Sequence, residues 1–216
     1  MAIEADKIFS WMPNVEGACS ARGYVPCYRN AGGTANYYGR STGAPSGYTA
    51  MGASGVTIGV GVDLGQQTTA ELERWGCPAS VLETVRPYIG KKRKAALAAL
   101  YQQPLALSMQ DARALTEAEQ RGYLSDIVLP WWRSFAPQRP FGSMPWQAQT
   151  AIFSLVYQCG VRGALRRGPF TLGKIAEGKY RRAARALQDR SGWPDYQDRR
   201  AQEGRMLAGA QDDAGA

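Results

Sequence analysis

Gly55-Val56-Thr57-Ile58-Gly59-Val60-Gly61-Val62-Asp63-Leu64-Gly65 alternates without a break, and this constrains the fold more than any other stretch. Strand side chains have a period of two, so Val56, Ile58, Val60 and Val62 share one face and Thr57, Gly59, Gly61 and Asp63 the other. The first face is β-branched hydrocarbon and must be buried. The second carries a hydroxyl and a carboxylate separated by two residues without side chains. As one straight strand, Thr57 and Asp63 would stand roughly 20 Å apart at about 3.3 Å per residue. Glycine inside a strand pattern marks a bend or a close approach. A tight hairpin folded at Gly59-Val60-Gly61 brings Thr57 opposite Asp63, with Cβ atoms about 5 Å apart. The plain alternative is an ordinary hairpin with a polar solvent face.

The second strong signal is helical. Trp146–Gly160 is apolar nearly all round, with Pro145 at its start and Gly160 at its end, which describes a buried central helix. Before the hairpin, Ile8, Met12 and Val15 recur at helical spacing. Pro13 either kinks that helix or opens a new turn at its first position, and Gly17 is the expected stop. Residues 18–54 are rich in Gly, Ser, Asn and Tyr and read as an irregular or short-stranded insertion. Its tyrosines suit sugar stacking, and packing among themselves equally well. Beyond Thr69 the pattern is helical: 69–76, 81–89 and 92–101. A further helix opens at the Ser108/Asp111 capping box and runs to Leu124, or to Leu129 before Pro130. Lys174–Gln188 reads as one more helix, and residues 208–216 as a disordered tail.

Bulk properties bound the chemistry. At 216 residues the chain can bury a core without staples, and a single domain spanning 1–216 is expected. Its N-terminal lobe would run to about residue 68 and its helical lobe over about 69–207. No apolar run reaches the 18 residues of a membrane span, and the first residues show no signal-peptide pattern. The chain contains no histidine, which argues against a zinc site or a His-based triad. Cys19, Cys27, Cys77 and Cys159 lack metal-ligand spacing and read as free thiols, although Cys19 and Cys27 could be bridged after export. The net charge is +8, and it is concentrated late: residues 162–205 hold 12 basic and 5 acidic side chains. Such a field favours an anionic polymer, and about half of those charges are ordinary solvated helix faces.

Glu16-Gly17 ends the first segment, and no Asp or Glu follows until Asp63. A Glu beside Gly, followed by a Thr-Ile-Gly-x-Gly strand, resembles the phage-type lysozymes (endolysins). Their helix-terminal Glu faces a β-hairpin across a cleft. Because the acid follows the Thr here, as Thr57-x5-Asp63, the chain is similar to the pesticin-like branch of that family. Gln158 just before Gly160, and the segment Arg199-Arg200-Ala201-Gln202-Glu203, extend the resemblance, which runs patchily from about Glu16 to Leu207.

The resemblance implies an α+β, lysozyme-like fold: a small N-terminal β-hairpin lobe and a mainly helical C-terminal lobe with a central buried helix. It implies a muramidase cleaving between N-acetylmuramic acid and N-acetylglucosamine, without metal or cofactor. Glu16 would be the general acid, Asp63 the base toward a water, and Thr57 the hydroxyl that holds that water. Gly59 and Gly61 would leave room for the sugar, and Gln158 would touch substrate. Expected partners are peptidoglycan and an anionic wall or outer-membrane surface met by the basic C-terminal part. A bacteriocin or secreted effector would add an immunity or inhibitor protein. Such an enzyme, made in the cytoplasm, would act in the periplasm or wall after holin release or delivery by a secretion system. The alternatives are a chitinase or chitosanase of the same architecture, and a non-catalytic basic module binding wall or nucleic acid. For specific nucleic-acid recognition no motif is present.

Overall fold

Pro13 divides the first helical segment in this computed structural model, which describes residues 2–29, 35–39, 44–189, 191–193 and 196–213. Helix α1 (Ala5–Trp11) stops before it, and Pro13 opens α2 (Pro13–Glu16), the second of the two readings of that proline. Gly17 follows at a positive φ and ends the turn directly after Glu16.

The chain then enters β1 (Ser20–Arg29), a ten-residue strand where the insertion was expected to be irregular or short-stranded. Val25 and Cys27 alternate inward and are fully buried. Around β1 are arranged β2 (Ala35–Tyr38), β3 (Tyr48–Ala50), β4 (Thr57–Gly59) and β5 (Val62–Asp63). The order is β2-β1-β4-β5 with β3 also on β1, and every pair is antiparallel. Two tyrosine pairs pack edge-to-face, Tyr24 with Tyr37 at 5.0 Å and Tyr38 with Tyr48 at 5.1 Å. Gly23 lets the strand approach Leu105 closely: its N–H donates to the Leu105 carbonyl at 2.9 Å, and a Cβ there would lie 2.8 Å from that of Leu105.

Four helices follow: α3 (Thr69–Arg74), α4 (Ala79–Val85), α5 (Lys94–Gln102) and α6 (Met109–Tyr123). A capping box starts α3, where Thr68 and Glu71 satisfy each other's backbone. At α6 only half of the expected box forms, the Asp111 N–H donating to Ser108 Oγ at 3.0 Å while the Asp111 carboxylate accepts from the Ser108 hydroxyl at 2.8 Å. Val56, Ile58 and Val62 from the hairpin pack with Leu72, Leu82, Val85, Leu97 and Leu115 from these helices in one core. Each such side chain contributes about 1.5–3 kcal/mol when fully buried. Residues Glu16–Gly122 form one compact unit on this core. The helices thus belong with the sheet, and the unit ends well beyond the expected lobe boundary near residue 68.

Pro130 does not end a helix. A π-helical turn, Leu124–Val128, widens the backbone so that the Leu129 N–H reaches the Leu124 carbonyl, and Pro130 falls in the first turn of α7 (Leu129–Phe135). There its missing N–H costs nothing.

The second compact unit comprises Met1–Val15 with Tyr123–Ala216. At its centre lies α8 (Trp146–Arg167), in which every residue from Ala148 to Val156 is buried. Gly160 interrupts the helical dihedrals, as its place in the sequence suggested. Phe9 of α1 meets Phe153 edge-on at 5.6 Å. Gln149 clamps the N-terminal residues, accepting from the Glu4 N–H at 2.9 Å and donating to the Ala2 carbonyl at 3.1 Å.

Lys174–Gln188 is not one helix. It splits into α9 (Pro169–Ala176) and α10 (Tyr180–Gln188), because Gly178 takes φ +74, a left-handed value that stops an α-helix. The final helix, α11 (Gln197–Ala208), packs on α10. The tail is fastened over its described part: Asp212 accepts from the Arg181 N–H at 2.9 Å, Asp213 pairs with Arg139, and its N–H reaches the Gly178 carbonyl. The expected disorder therefore does not hold for 208–213, and residues 214–216 lie outside the described residues. The four cysteines are thiols, and no described helix is long and apolar enough to cross a membrane.

Candidate active site

The hairpin closes where the alternating sequence required. In the β4–β5 ladder Thr57 pairs with Asp63 and Ile58 with Val62, leaving Gly59-Val60-Gly61 as the turn. Val56, Ile58, Val60 and Val62 are all buried. The polar face is also covered, for Thr57 is only 5% exposed.

The two glycines do not leave open space for a ligand. A Cβ at Gly59 would lie 2.2 Å from Thr116 Oγ1 of α6, and one at Gly61 would lie 2.6 Å from Glu16 Oε2. The places without side chains are thus filled by a hydroxyl and by the Glu16 carboxylate. Gly61 also takes φ +77, which disfavours any side chain. Glu16 itself is half-buried at the end of α2. Forty-five residues apart in sequence, Glu16 and Gly61 fit against each other in one compact unit.

Asp63 is more embedded than a solvent-facing hairpin residue would be. Its Oδ1 accepts from the Gly65 N–H at 2.9 Å and from the Gly55 N–H at 3.0 Å, while Oδ2 lies 3.2 Å from the Gly55 nitrogen. It caps the 3-10 turn Leu64–Gln66. Burial pushes the Asp63 carboxyl above the ordinary aspartate range; the N–H donors of Gly65 and Gly55, the Gln66 side chain and the Lys92 charge oppose this. The side chain is therefore both a structural cap and a base of raised affinity for a proton.

Thr116 is the residue that sequence reasoning missed. Its hydroxyl donates to the Ala112 carbonyl at 2.8 Å and accepts from the Val60 N–H at 3.1 Å, bracing the hairpin turn. The available signal was a polar side chain on the buried Ala112–Leu115–Ala118 face of α6.

Gln158 belongs to the other compact unit, on α8 just before the Gly160 break. Its Oε1 accepts from Arg200 at 2.5 Å, which leaves its Nε2 as the donor end. Arg200 is 1% exposed and also bonds Glu203 at 2.7 Å; Glu203, fully buried, accepts from Ser154 Oγ at 2.5 Å and from Arg199 at 3.2 Å. The Arg-Arg-x-x-Glu segment thus lies on the inner side of α11, where it holds the middle of α8 ahead of the Gly160 break. Among the described residues no His/Cys/Asp/Glu group has the form of a metal site.

One carboxylate of the hairpin, Asp63, stands cross-strand from the Thr57 hydroxyl, and a second, Glu16 at the end of α2, lies on the turn glycine; such a pair suits acid–base chemistry at a glycosidic bond. No curated protein matches the chain. A family model described as pesticin, a bacterial toxin homologue of phage lysozyme (C-terminal part), matches residues 9–181. That span covers Glu16, the whole hairpin and Gln158, it agrees with an α+β lysozyme-like fold, and it supports a muramidase-type peptidoglycan hydrolase in general terms. The match takes in well over half of the sequence, and the chain belongs to the pesticin family of phage-lysozyme homologues.

Proposed function

We propose that the protein hydrolyses the β-1,4 bond between N-acetylmuramic acid and N-acetylglucosamine in peptidoglycan, with inversion at the anomeric carbon. The observation that carries this reading is the seating of the Glu16 carboxylate on Gly61, in a hairpin whose register pairs Thr57 with Asp63. Glu16 protonates the departing glycosidic oxygen. Asp63 removes a proton from the attacking water, through Oδ2, the oxygen less engaged by backbone N–H groups. Thr57, cross-strand from Asp63, holds that water. A raised carboxyl pKa suits the base, since a greater proton affinity strengthens its pull on the proton of the attacking water. Gln158 is a substrate-contacting amide in this reading, its carbonyl end held by Arg200.

The test is Glu16→Gln on purified peptidoglycan. An amide of the same shape cannot donate the proton, so release of soluble fragments should fall at least about a hundredfold, within the range of general acid catalysis. The circular dichroism spectrum should be unchanged. Retention of a tenth of the activity would remove Glu16 as the acid.

A further inference from the structure

Four of the six tryptophans have structural work. Trp132 is fully buried and donates to the Arg139 carbonyl at 2.8 Å. Trp193 lies under the Arg200 guanidinium at 5.2 Å, Trp131 stacks on Phe135 at 5.5 Å, and Trp75 fills the space beside Gly122. Trp11 and Trp146 are different. Both are half-buried, and together they line an open surface pocket of about 430 Å³ where the end of α1, the start of α2, the first turn of α8 and α11 meet. All the residues that line it belong to the second compact unit.

Its remaining lining is polar in a particular way. Asn14, Gln147 and Gln202 supply three carboxamides, Arg205 one guanidinium, and no carboxylate takes part. Indole faces stack on the C–H faces of a pyranose ring, and a carboxamide both donates and accepts, which matches a vicinal hydroxyl or an acetamido group. Asn14 is held in place by donating from Nδ2 to the Trp11 carbonyl at 2.7 Å, so Oδ1 is the acceptor it offers. A nucleic acid would need several cations along its phosphates, and only one is present. An apolar protein segment would need aliphatic lining, and Met206 alone provides it. The volume falls within the roughly 300–1,000 Å³ of small-molecule sites.

We infer that this pocket is a second carbohydrate-binding site, taking β-1,4-linked N-acetylhexosamine units of a glycan chain. It rests on the proposed muramidase reading only for which glycan is met in nature. On a polymeric wall, a second point of attachment holds the enzyme at high effective concentration.

The experiment uses the full chain carrying Glu16→Gln, with its indole N–H resonances assigned by single Trp→Phe variants. It is titrated with tetra-N-acetylchitotetraose and, separately, with maltotetraose. The Trp11 and Trp146 resonances should move saturably with the first sugar, and Trp132 should not. Maltotetraose, lacking acetamido groups, should bind at least tenfold more weakly. Gln147→Ala and Gln202→Ala, both at half-buried positions on the pocket wall, should each weaken the interaction at least fivefold without altering the circular dichroism spectrum. Stationary Trp11 and Trp146 resonances, equal binding of the two sugars, or wild-type affinity in both glutamine variants would overturn the site. Saturable binding here by a chain whose Glu16 form fails to cleave walls would defeat the muramidase reading and leave the site standing.

Discussion

At Gly61 one hydrogen decides whether Glu16 can occupy its place. Gly61→Ala should displace the carboxylate and strain the turn, reducing hydrolysis of peptidoglycan by at least about tenfold, consistent with the sensitivity of catalysis to misplacement on the ångström scale. A thermal melt would separate this from unfolding, since such a glycine replacement should cost no more than about 1–3 kcal/mol. Asp63 allows a cleaner separation of structure from chemistry. Asp63→Asn keeps an Oδ1 that accepts from Gly55 and Gly65, so the fold should persist while the base is lost; Asp63→Ala leaves both N–H groups without their acceptor at about 1–3 kcal/mol each. Because burial raises the Asp63 pKa, the folded state disfavours its ionisation. The associated stability is fully present below the ordinary aspartate value and is lost as pH rises through the folded value. The melting temperature of Asp63→Asn relative to wild type should therefore improve with rising pH across that window, and the acid limb of wild-type activity should lie above the ordinary aspartate range. A constant difference in melting temperature would contradict the raised pKa. The pairing of Thr57 with Asp63 was legible because a two-residue period fixes register. The occupants of the glycine positions were not, since Glu16 and Thr116 reach the turn across 45 and 57 residues of sequence, and a glycine does not announce what will fill it.

At the level of elements, the signals carried by the Thr68 capping box, Pro13 and Gly17 translated directly into helix ends, and that of Gly160 into a break inside α8. Pro130 and Gly178 did not. A proline is tolerated where the preceding turn is π-helical, and that geometry depends on packing that a local pattern does not encode. Gly178 lies inside an apolar periodicity that continues on both sides, so only its left-handed dihedral reveals two helices in place of one. The Arg199-Arg200-Ala201-Gln202-Glu203 segment stood out in the sequence only by resemblance, and its partners Ser154 and Gln158 on α8 could not be foreseen, because they lie more than forty residues away. That segment bears on stability. Glu203→Gln should leave the Arg200 charge, 1% exposed, without its carboxylate and cost about 3–5 kcal/mol, the range for breaking one partner of a buried pair. Urea denaturation midpoints would show it, and a loss below about 1 kcal/mol would mean that Gln158 and Trp193 suffice to hold the guanidinium.

For the molecule as a whole, charge and chemistry are distributed differently. Arg162, Arg166, Arg167, Arg181, Arg182, Arg185 and Arg205 are all exposed on one compact unit, whereas the proposed acid and base lie in the other. Activity on intact walls should fall as salt rises, because adsorption of a basic body to an anionic polymer is screened over a Debye length of about 8–10 Å near physiological ionic strength. Cleavage of short soluble fragments should depend on salt much less, and equal dependence on both substrates would place the effect at the reacting bond. Carboxyl groups about 6.5–9.5 Å apart leave space for a water and invert the anomeric centre, whereas a nucleophile must approach to about 5–5.5 Å and retains it. Thr57 has a role only in the first scheme. The most direct measurement is therefore the anomeric configuration of freshly released reducing ends, read by proton NMR before mutarotation. An α product from the β-linked glycan is the expected result; a β product, or a glycosyl-enzyme trapped on Asp63, would contradict the account.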